Sequence, residues 1–345
     1  MKLTAYFKMK IFLTGASGFV GKNLMDFLIQ QGHDVIGHVR SNSEAIPDFG
    51  RKFSHVNLLN HQEILYELSG VDTVIHCAAL VNTWSSSETF YQNNVSVTQT
   101  LLESAKLAGV QRLIFLSCAS VVMQQGQDLM NIPESLPLTN RPELPYIKSK
   151  ALAEALVLEA ATENFKTIAL RPAFIWGKGD IIDRQIGQAA LNGKFGWFNQ
   201  GHYLYSTCYI DNLYEAISKA LTTDLFGESF FITDGEPISF RSFMSQRLQI
   251  SGFPIPTLSI PRYIAWALGR FTENGWKYLP FQGLPPITRE IVRLTGFSFT
   301  LCIEKSKQQL DYQPAYSVPQ GLKHLASQLE IKNIKIEDSD TLRRH

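Results

Sequence analysis

The sequence predicts an α/β chain: a doubly wound parallel sheet followed by a smaller C-terminal lobe that binds substrate. Three observations carry this. Lys10 to Gly21 (KIFLTGASGFVG) reads as a buried strand, a glycine-rich turn and the start of a helix. Downstream, apolar runs of strand length alternate with helical patterns, several closed by glycine at Gly32, Gly70 and Gly109, and no hairpin signal interrupts them. Beyond residue 180 the alternation loosens into short helices, prolines and aromatic-rich segments, as in a lobe that closes over a site.

In order, the strands are expected at Ile11–Leu13, His33–Val39, Phe53–Val56, Val71–Ala79, Arg112–Ser117 and Thr167–Pro172. Val71–Ala79 is a continuous apolar run of the kind a parallel sheet buries on both faces. Between them lie helices over Asn23–Gly32, with Leu24, Phe27 and Leu28 on one stripe, then 61–70, Val97–Gly109 and Tyr146–Ala161. Residues 124–145 and Phe174–Asp180 read as loops. Residues 1–8 read as an N-terminal extension, 9–180 as the nucleotide domain and 181–330 as mainly the lobe. Segments around 207–235 return to the nucleotide domain, and 331–345 form a polar tail.

The 345 residues are 45% hydrophobic and 18% charged, enough apolar material for a sizeable core. A net charge of +1 gives no electrostatic reason to expect nucleic acid as a partner. Cys77, Cys118, Cys208 and Cys302 are far apart and lack metal-site spacing, so no metal is expected and a cytoplasmic setting is. No apolar run approaches the ~20 residues of a membrane span; peripheral contact with a membrane is the one alternative.

Two sets of residues point to chemistry. Gly15, Gly18 and Gly21 let the backbone approach a ligand, and the helix N-terminus offers unpaired N–H groups to a diphosphate. Tyr146 and Lys150 stand four apart on one helix face. An ammonium beside a phenol lowers its pKa from ~10, and such a tyrosine can move a proton to or from an alcohol.

These features together resemble an extended short-chain dehydrogenase/reductase, of the NAD-dependent epimerase/dehydratase superfamily with its Rossmann fold. The marks are TGASGFVG, HCAA at 76–79, Asn94-Val95, the Ser117–Val121 strand end, Tyr146-x-x-Ser149-Lys150, Leu170-Arg171-Pro172 with Ile175-Trp176-Gly177, and TCYIDNLYEAI at 207–217. Phe231–Pro237, Pro285–Thr288, Ser306-Lys307 and Leu310–Tyr312 resemble the 3β-hydroxysteroid and sterol-4-carboxylate dehydrogenase branch. A similar bacterial group reduces 2-alkyl-3-oxoalkanoates. The resemblance implies hydride transfer between nicotinamide and a secondary alcohol or ketone. Tyr146 would be the general acid/base, and Lys150 would tune it and bind the ribose.

Further roles follow from the resemblance. Gly15, Ser17, Gly18, Phe19, Val20 and Gly21 would hold the diphosphate. Asn57 and Leu58 would lie near the adenine. Ala78, Ala79, Asn94, Ser117 and Pro172 would line the rest of the cofactor site. Val81, Trp84 and Trp176 would touch substrate. The second strand ends in His38-Val39-Arg40 with no acid, so Arg40 favours NADP(H), with NAD(H) the alternative. Cys118 stands where the family has Ser or Thr to bind the substrate carbonyl. A thiol is the weaker donor, so reduced activity is expected. Ser120 is displaced along the chain, and Ser117 should face the other side of the strand. Ala119 and Ser120 replace the acid pair of sugar-nucleotide dehydratases, which argues against dehydration.

Large apolar groups in the lobe fit a sterol-like or fatty substrate. Residues 260–271 predict an amphipathic helix over an apolar pocket, favoured over a membrane-interface segment because only Arg262 and Arg270 add positive charge. The alternatives are a sugar epimerase or dehydrogenase/isomerase of the same fold, and a non-catalytic nucleotide-binding regulator. A homodimer through the Tyr146 helix is a further expectation.

Overall fold

The computed structural model describes residues 8–40, 51–82, 84–124, 126–279, 281 and 283–329. Seven parallel strands form the central sheet: β1 (Lys10–Thr14), β2 (Asp34–His38), β3 (Lys52–Ser54), β4 (Thr73–His76), β5 (Arg112–Leu116), β6 (Lys166–Pro172) and β7 (Glu228–Ile232). Their order is β7-β6-β5-β4-β1-β2-β3. The chain winds outward from β1 in both directions, so the crevice between β1 and β4 is the switch point where such sheets take ligands.

Successive residues of β1 feed opposite faces, as the strand period demands. Ile11 and Leu13 join Leu24, Met25 and Leu28 of helix α1 (Phe19–Gln30) in one core. Phe12 packs on the other face, with Leu101 and Ala105 of helix α2 (Val97–Leu107) and Ala153 and Val157 of helix α3 (Pro145–Glu159). Helix α4 (Ile210–Thr222) and β7 bring the chain back from the lobe to the sheet.

Several sequence expectations need correction. The first helix begins at Phe19, inside the Lys10–Gly21 stretch as expected, and ends at Gln30 rather than Gly32. Within 124–145, Leu129–Ile132 is a strand paired with Phe299–Leu301. That partner lies about 170 residues away in sequence, so no local pattern betrays it. Phe174–Trp176, read as loop, pairs with Thr207–Tyr209. The segment starting at residue 260 also differs. Helix α5 (Arg262–Tyr278) packs on helix α6 (Arg289–Thr295) through the small residues Ala265 and Gly269. A Cβ at Gly269 would lie 2.9 Å from the Arg289 nitrogen. The close seam turns Tyr263, Leu268 and Phe271 outward, so they cover no pocket.

The extension at 1–8, apart from Lys8, and the tail at 331–345 lie outside the described residues. Among the described residues no helix is long and apolar enough to cross a membrane.

Candidate active site

The glycine turn presses against the end of β4. Gly15 has φ +74°, and a Cβ there would sit 2.8 Å from the Ala78 nitrogen. A Cβ at Gly21 would lie 2.1 Å from the Gly15 carbonyl oxygen. Gly18 is the N-cap of α1, with no side-chain cap and no acid in the first turn. Ser17 is exposed, and Phe19 and Val20 are half-buried beside it. Bare backbone and a helix N-terminus therefore face the crevice, an arrangement that fits a dinucleotide diphosphate.

A hydrogen-bond chain fixes the adjoining strand ends. The Ala78 N–H donates to Thr14 Oγ1 at 3.0 Å, and Thr14 Oγ1 meets His76 Nδ1 at 2.7 Å. His76 Nε2 meets Thr98 Oγ1 at 3.0 Å, and that hydroxyl donates to the Asn94 carbonyl at 2.6 Å. The chain is satisfied throughout by a neutral imidazole protonated on Nε2. Burial, with Lys150 and His38 nearby, lowers the His76 pKa to about 3. Asn94 sits in a π-helical turn, Tyr91–Ser96, of a kind that recurs at functional sites. Its amide accepts from the Leu80 N–H at 2.7 Å and donates to Ser149 Oγ at 2.8 Å. Asn94 thus braces α3 against the loop after β4, and its side chain is committed to that brace rather than to a cofactor.

Tyr146 is the second residue of α3. Its phenol faces the Cys118 sulfur. Ser120 Oγ donates to the same sulfur at 3.1 Å. The 3₁₀ turn Ala119–Val122 folds Ser120 back to the site, which corrects the expectation of a displaced Ser120. Two hydroxyls therefore converge on the point where a substrate oxygen would be bound. Lys150 Nζ donates to the Leu116 carbonyl at 2.7 Å and lies 4.0 Å from the centre of the Phe115 ring. Burial lowers its pKa to about 8. The expected lowering of the Tyr146 pKa is not found. Burial raises it well above 10, with Cys118 and Glu290 adding to the rise. Tyr146 is therefore held as a protonated phenol, suited to giving a proton to an alkoxide.

Two predicted contacts are corrected. Ser117 turns its hydroxyl away from the crevice and donates to Glu154 Oε2 at 2.5 Å, inside a buried cluster with Arg171. Trp176 is fully buried and packs at a tilt on Tyr209, its indole N–H donating to Asp234 at 2.8 Å, so it is core and not a substrate contact. Asp234 also accepts from Thr207, Tyr209 and Asn212, tying the 207–217 return to β7. Ala78 and Ala79 line the β4 end half-buried, and Pro172 closes β6. Arg40 is exposed just past β2. Asn57 accepts from the Leu59 N–H at 3.0 Å, beside a buried Leu58. Val81 is exposed and Trp84 half-buried on the loop after β4, at the rim of the site.

Sequence reading missed two lobe residues. Glu290 of α6 is buried, and its Oε1 accepts from the Ile147 N–H at 2.9 Å. Through that bond it caps the start of α3, whose own N-cap Leu144 has no side-chain bond. Arg293, one turn further along α6, is also buried, and none of its three nitrogens has a hydrogen-bond partner. It lies over the Phe297 ring at 5.2 Å. Tyr205, whose hydroxyl donates to the neighbouring Leu294 carbonyl at 2.7 Å, feels the Arg293 charge.

Glu290 also yields a stability prediction. Burial lifts its pKa from 4.5 to about 8, so the folded chain holds this proton more tightly than the unfolded one. The stability it contributes is complete below pH 4.5 and is lost as pH rises through about 8. Glu290→Gln should remove a slope worth a few kcal/mol across that window. Melting curves of the two proteins that stay parallel from acid to alkaline pH would refute this.

Residues 12–262 match the model of the 3-beta hydroxysteroid dehydrogenase/isomerase family. The chain belongs to that family. A 4-hydroxy-2-methyl-3-oxo-4-farnesyl-3,4-dihydroquinoline-1-oxide ketoreductase of Stigmatella aurantiaca is 35% identical over 318 residues, covering 91% of this chain and 95% of its own. A 2-alkyl-3-oxoalkanoate reductase of Stenotrophomonas maltophilia is 30% identical, covering 92% and 98%. The fold is shared with a UDP-glucose 4-epimerase of Thermotoga maritima, at TM-score 0.73 and 21% identity over 94% of this chain and 99% of that one. As a member of the 3-beta hydroxysteroid dehydrogenase/isomerase family, the protein is an oxidoreductase of the hydroxyl/ketone couple and uses a nicotinamide cofactor.

Proposed function

We propose that the protein reduces the ketone of an apolar 3-oxo acid, with NADP(H) as hydride carrier and Tyr146 as proton donor. The observation that carries this is the convergence of the Tyr146 and Ser120 hydroxyls on Cys118, at the sheet edge that also bears the glycine cradle. The bound nicotinamide supplies the hydride. The Ser120 hydroxyl polarises the carbonyl, and Tyr146 protonates the alkoxide as it forms. Lys150, buried one helical turn from Tyr146, faces the ribose. Arg40, which follows a strand ending in His38-Val39 where NAD users carry an acid, favours the 2′-phosphate of NADP(H) over NAD(H). Arg293 supports an acid group on the substrate, since a buried guanidinium without an acceptor is costly unless an anion meets it. A homodimer through α3, where Leu152 is exposed, accompanies this proposal.

The test is NADPH oxidation with a 2-alkyl-3-oxoalkanoate, its methyl ester and UDP-glucose. The acid should turn over best, and NADH should serve less well. Conversion of UDP-glucose without net cofactor oxidation would replace this reading with an epimerase. Division of labour at the carbonyl is tested by substitution. Ser120→Ala should lower kcat about tenfold, the worth of one hydroxyl hydrogen bond. Cys118→Ser should raise kcat up to about tenfold by exchanging a weak donor for a strong one. Unchanged or lower activity in Cys118→Ser would remove the thiol as a handicap.

A further inference from the structure

We propose that Glu290, a residue of the lobe, is a positioning residue for the proton donor: by holding the first turn of α3 it fixes where the Tyr146 hydroxyl stands. This role depends on the reading of Tyr146 as that donor. The first turn of α3 is poorly equipped to hold itself. A helix leaves its leading N–H groups without partners inside the helix, and a side chain at the N-cap ordinarily receives one of them. Here the N-cap is Leu144, which has no acceptor to offer, Pro145 follows it, and the first turn contains no acid. The Ile147 N–H, next in the chain to Tyr146, instead meets Glu290 Oε1 at 2.9 Å.

Tyr146 is thereby tied to two different parts of the molecule. On the nucleotide-domain side, Ser149 Oγ donates to the Tyr146 carbonyl at 2.7 Å and accepts from the Asn94 amide at 2.8 Å. On the lobe side, Glu290 ties the same turn, and it stands on a firm support. The Arg289 N–H donates to Glu273 Oε1 at 2.6 Å, and the Ile291 N–H donates to Thr288 Oγ1 at 3.1 Å. The far end of α6 is held by the Tyr205 hydroxyl, which donates to the Leu294 carbonyl at 2.7 Å. Burial raises the Glu290 pKa to about 8, so the group keeps its proton at neutral pH and offers Ile147 a carbonyl oxygen. Glutamine would offer the same oxygen with the same reach. A displacement of about 1 Å at a reacting group costs on the order of 10²-fold in rate, so the hold on this turn bears directly on proton transfer.

The test is NADPH-dependent ketone reduction at neutral pH by Glu290→Gln, Glu290→Leu and Glu290→Ala, with amide exchange of each NADPH-bound protein as a second measurement. Gln keeps the acceptor. Leu and Ala both remove it, so the comparison stands where one of them fails to fold. Glu290→Leu and Glu290→Ala should lower kcat about 10–100-fold, with KM and NADPH affinity within about threefold, and their Ile147 amide should exchange faster. Glu290→Gln should keep both the rate and the slow exchange near those of the parent. A cap that is structural only would lower the melting temperature of the Leu and Ala variants and leave the rate per NADPH-binding site unchanged; that outcome overturns the proposal. So does an equal loss of kcat in Gln, Leu and Ala, which would place the effect on the carboxyl itself and not on its bond to Ile147. A parent protein that reduces no ketone refutes the functional reading and this role with it. A parent that turns over, beside a Leu variant that keeps its kcat, refutes the role alone.

Discussion

Tyr146→Phe is expected to lower kcat by about 10²–10⁴-fold while leaving dinucleotide affinity within about twofold. The reasoning is positional. The substitution removes one oxygen at the second residue of α3, where the Tyr146 hydroxyl meets the Cys118 sulfur. The neighbouring groups are poor substitutes as acids. The Ser120 hydroxyl is a far weaker acid than a phenol, and the Cys118 sulfur is the acceptor of the Ser120 hydrogen bond. The diphosphate cradle lies on the other side of the crevice, built from Gly15, Gly18 and Gly21, and owes nothing to this hydroxyl. Fluorescence titration with NADPH, alongside initial rates, separates the two effects. Turnover that survived in the Phe variant would assign proton transfer elsewhere. Loss of NADPH binding would make Tyr146 a cofactor ligand first and an acid second.

The parts of the site legible in the sequence are those whose cause is local. Gly15 and Gly21 are needed because a Cβ at either would strike backbone, and that constraint is written in the glycines themselves. The burial of Ile11, Phe12 and Leu13 on alternate faces of the sheet likewise follows from strand period and composition. What stayed hidden depends on residues distant in the chain. Glu290 caps α3 across 143 residues of sequence. Leu129–Ile132 becomes a strand only because Phe299–Leu301 lies beside it. Trp176 lies in a segment whose composition reads as a loop, and its burial needs the Asp234 carboxylate and the Tyr209 ring, both supplied by the returning segment. The sign of the Tyr146 shift was missed for a related reason. Spacing locates Lys150 on the same helix face, but the surrounding fold desolvates the phenol, and that raises its pKa.

Ser117 belongs to the same class, and its partners make the second large prediction. Glu154 and Arg171 form an ion pair at 2.5 Å, with both side chains almost wholly buried. Arg171 Nη1 also donates to the Glu134 carbonyl at 2.8 Å, and Ser117 fills a further site on Glu154. The cluster joins three elements at the back of the active site: the β5 end, α3 and β6. Glu154→Ala leaves a buried guanidinium without its carboxylate and is expected to cost about 3–5 kcal/mol. Against a total stability of roughly 5–15 kcal/mol, that loss would leave a chain that is marginally folded or melts well below the parent. A second substitution distinguishes charge from packing. Glu154→Leu with Arg171→Met removes both charges, and the pair should recover much of the loss, because an apolar pair of similar volume has no desolvation cost to offset. Chemical denaturation of the three proteins checks this. Equal destabilisation in the single and double variants would mean that the Ser117 and Glu134 bonds, not the unpaired charge, hold α3 against the strand ends. In that case Tyr146 would owe its position to those neutral contacts.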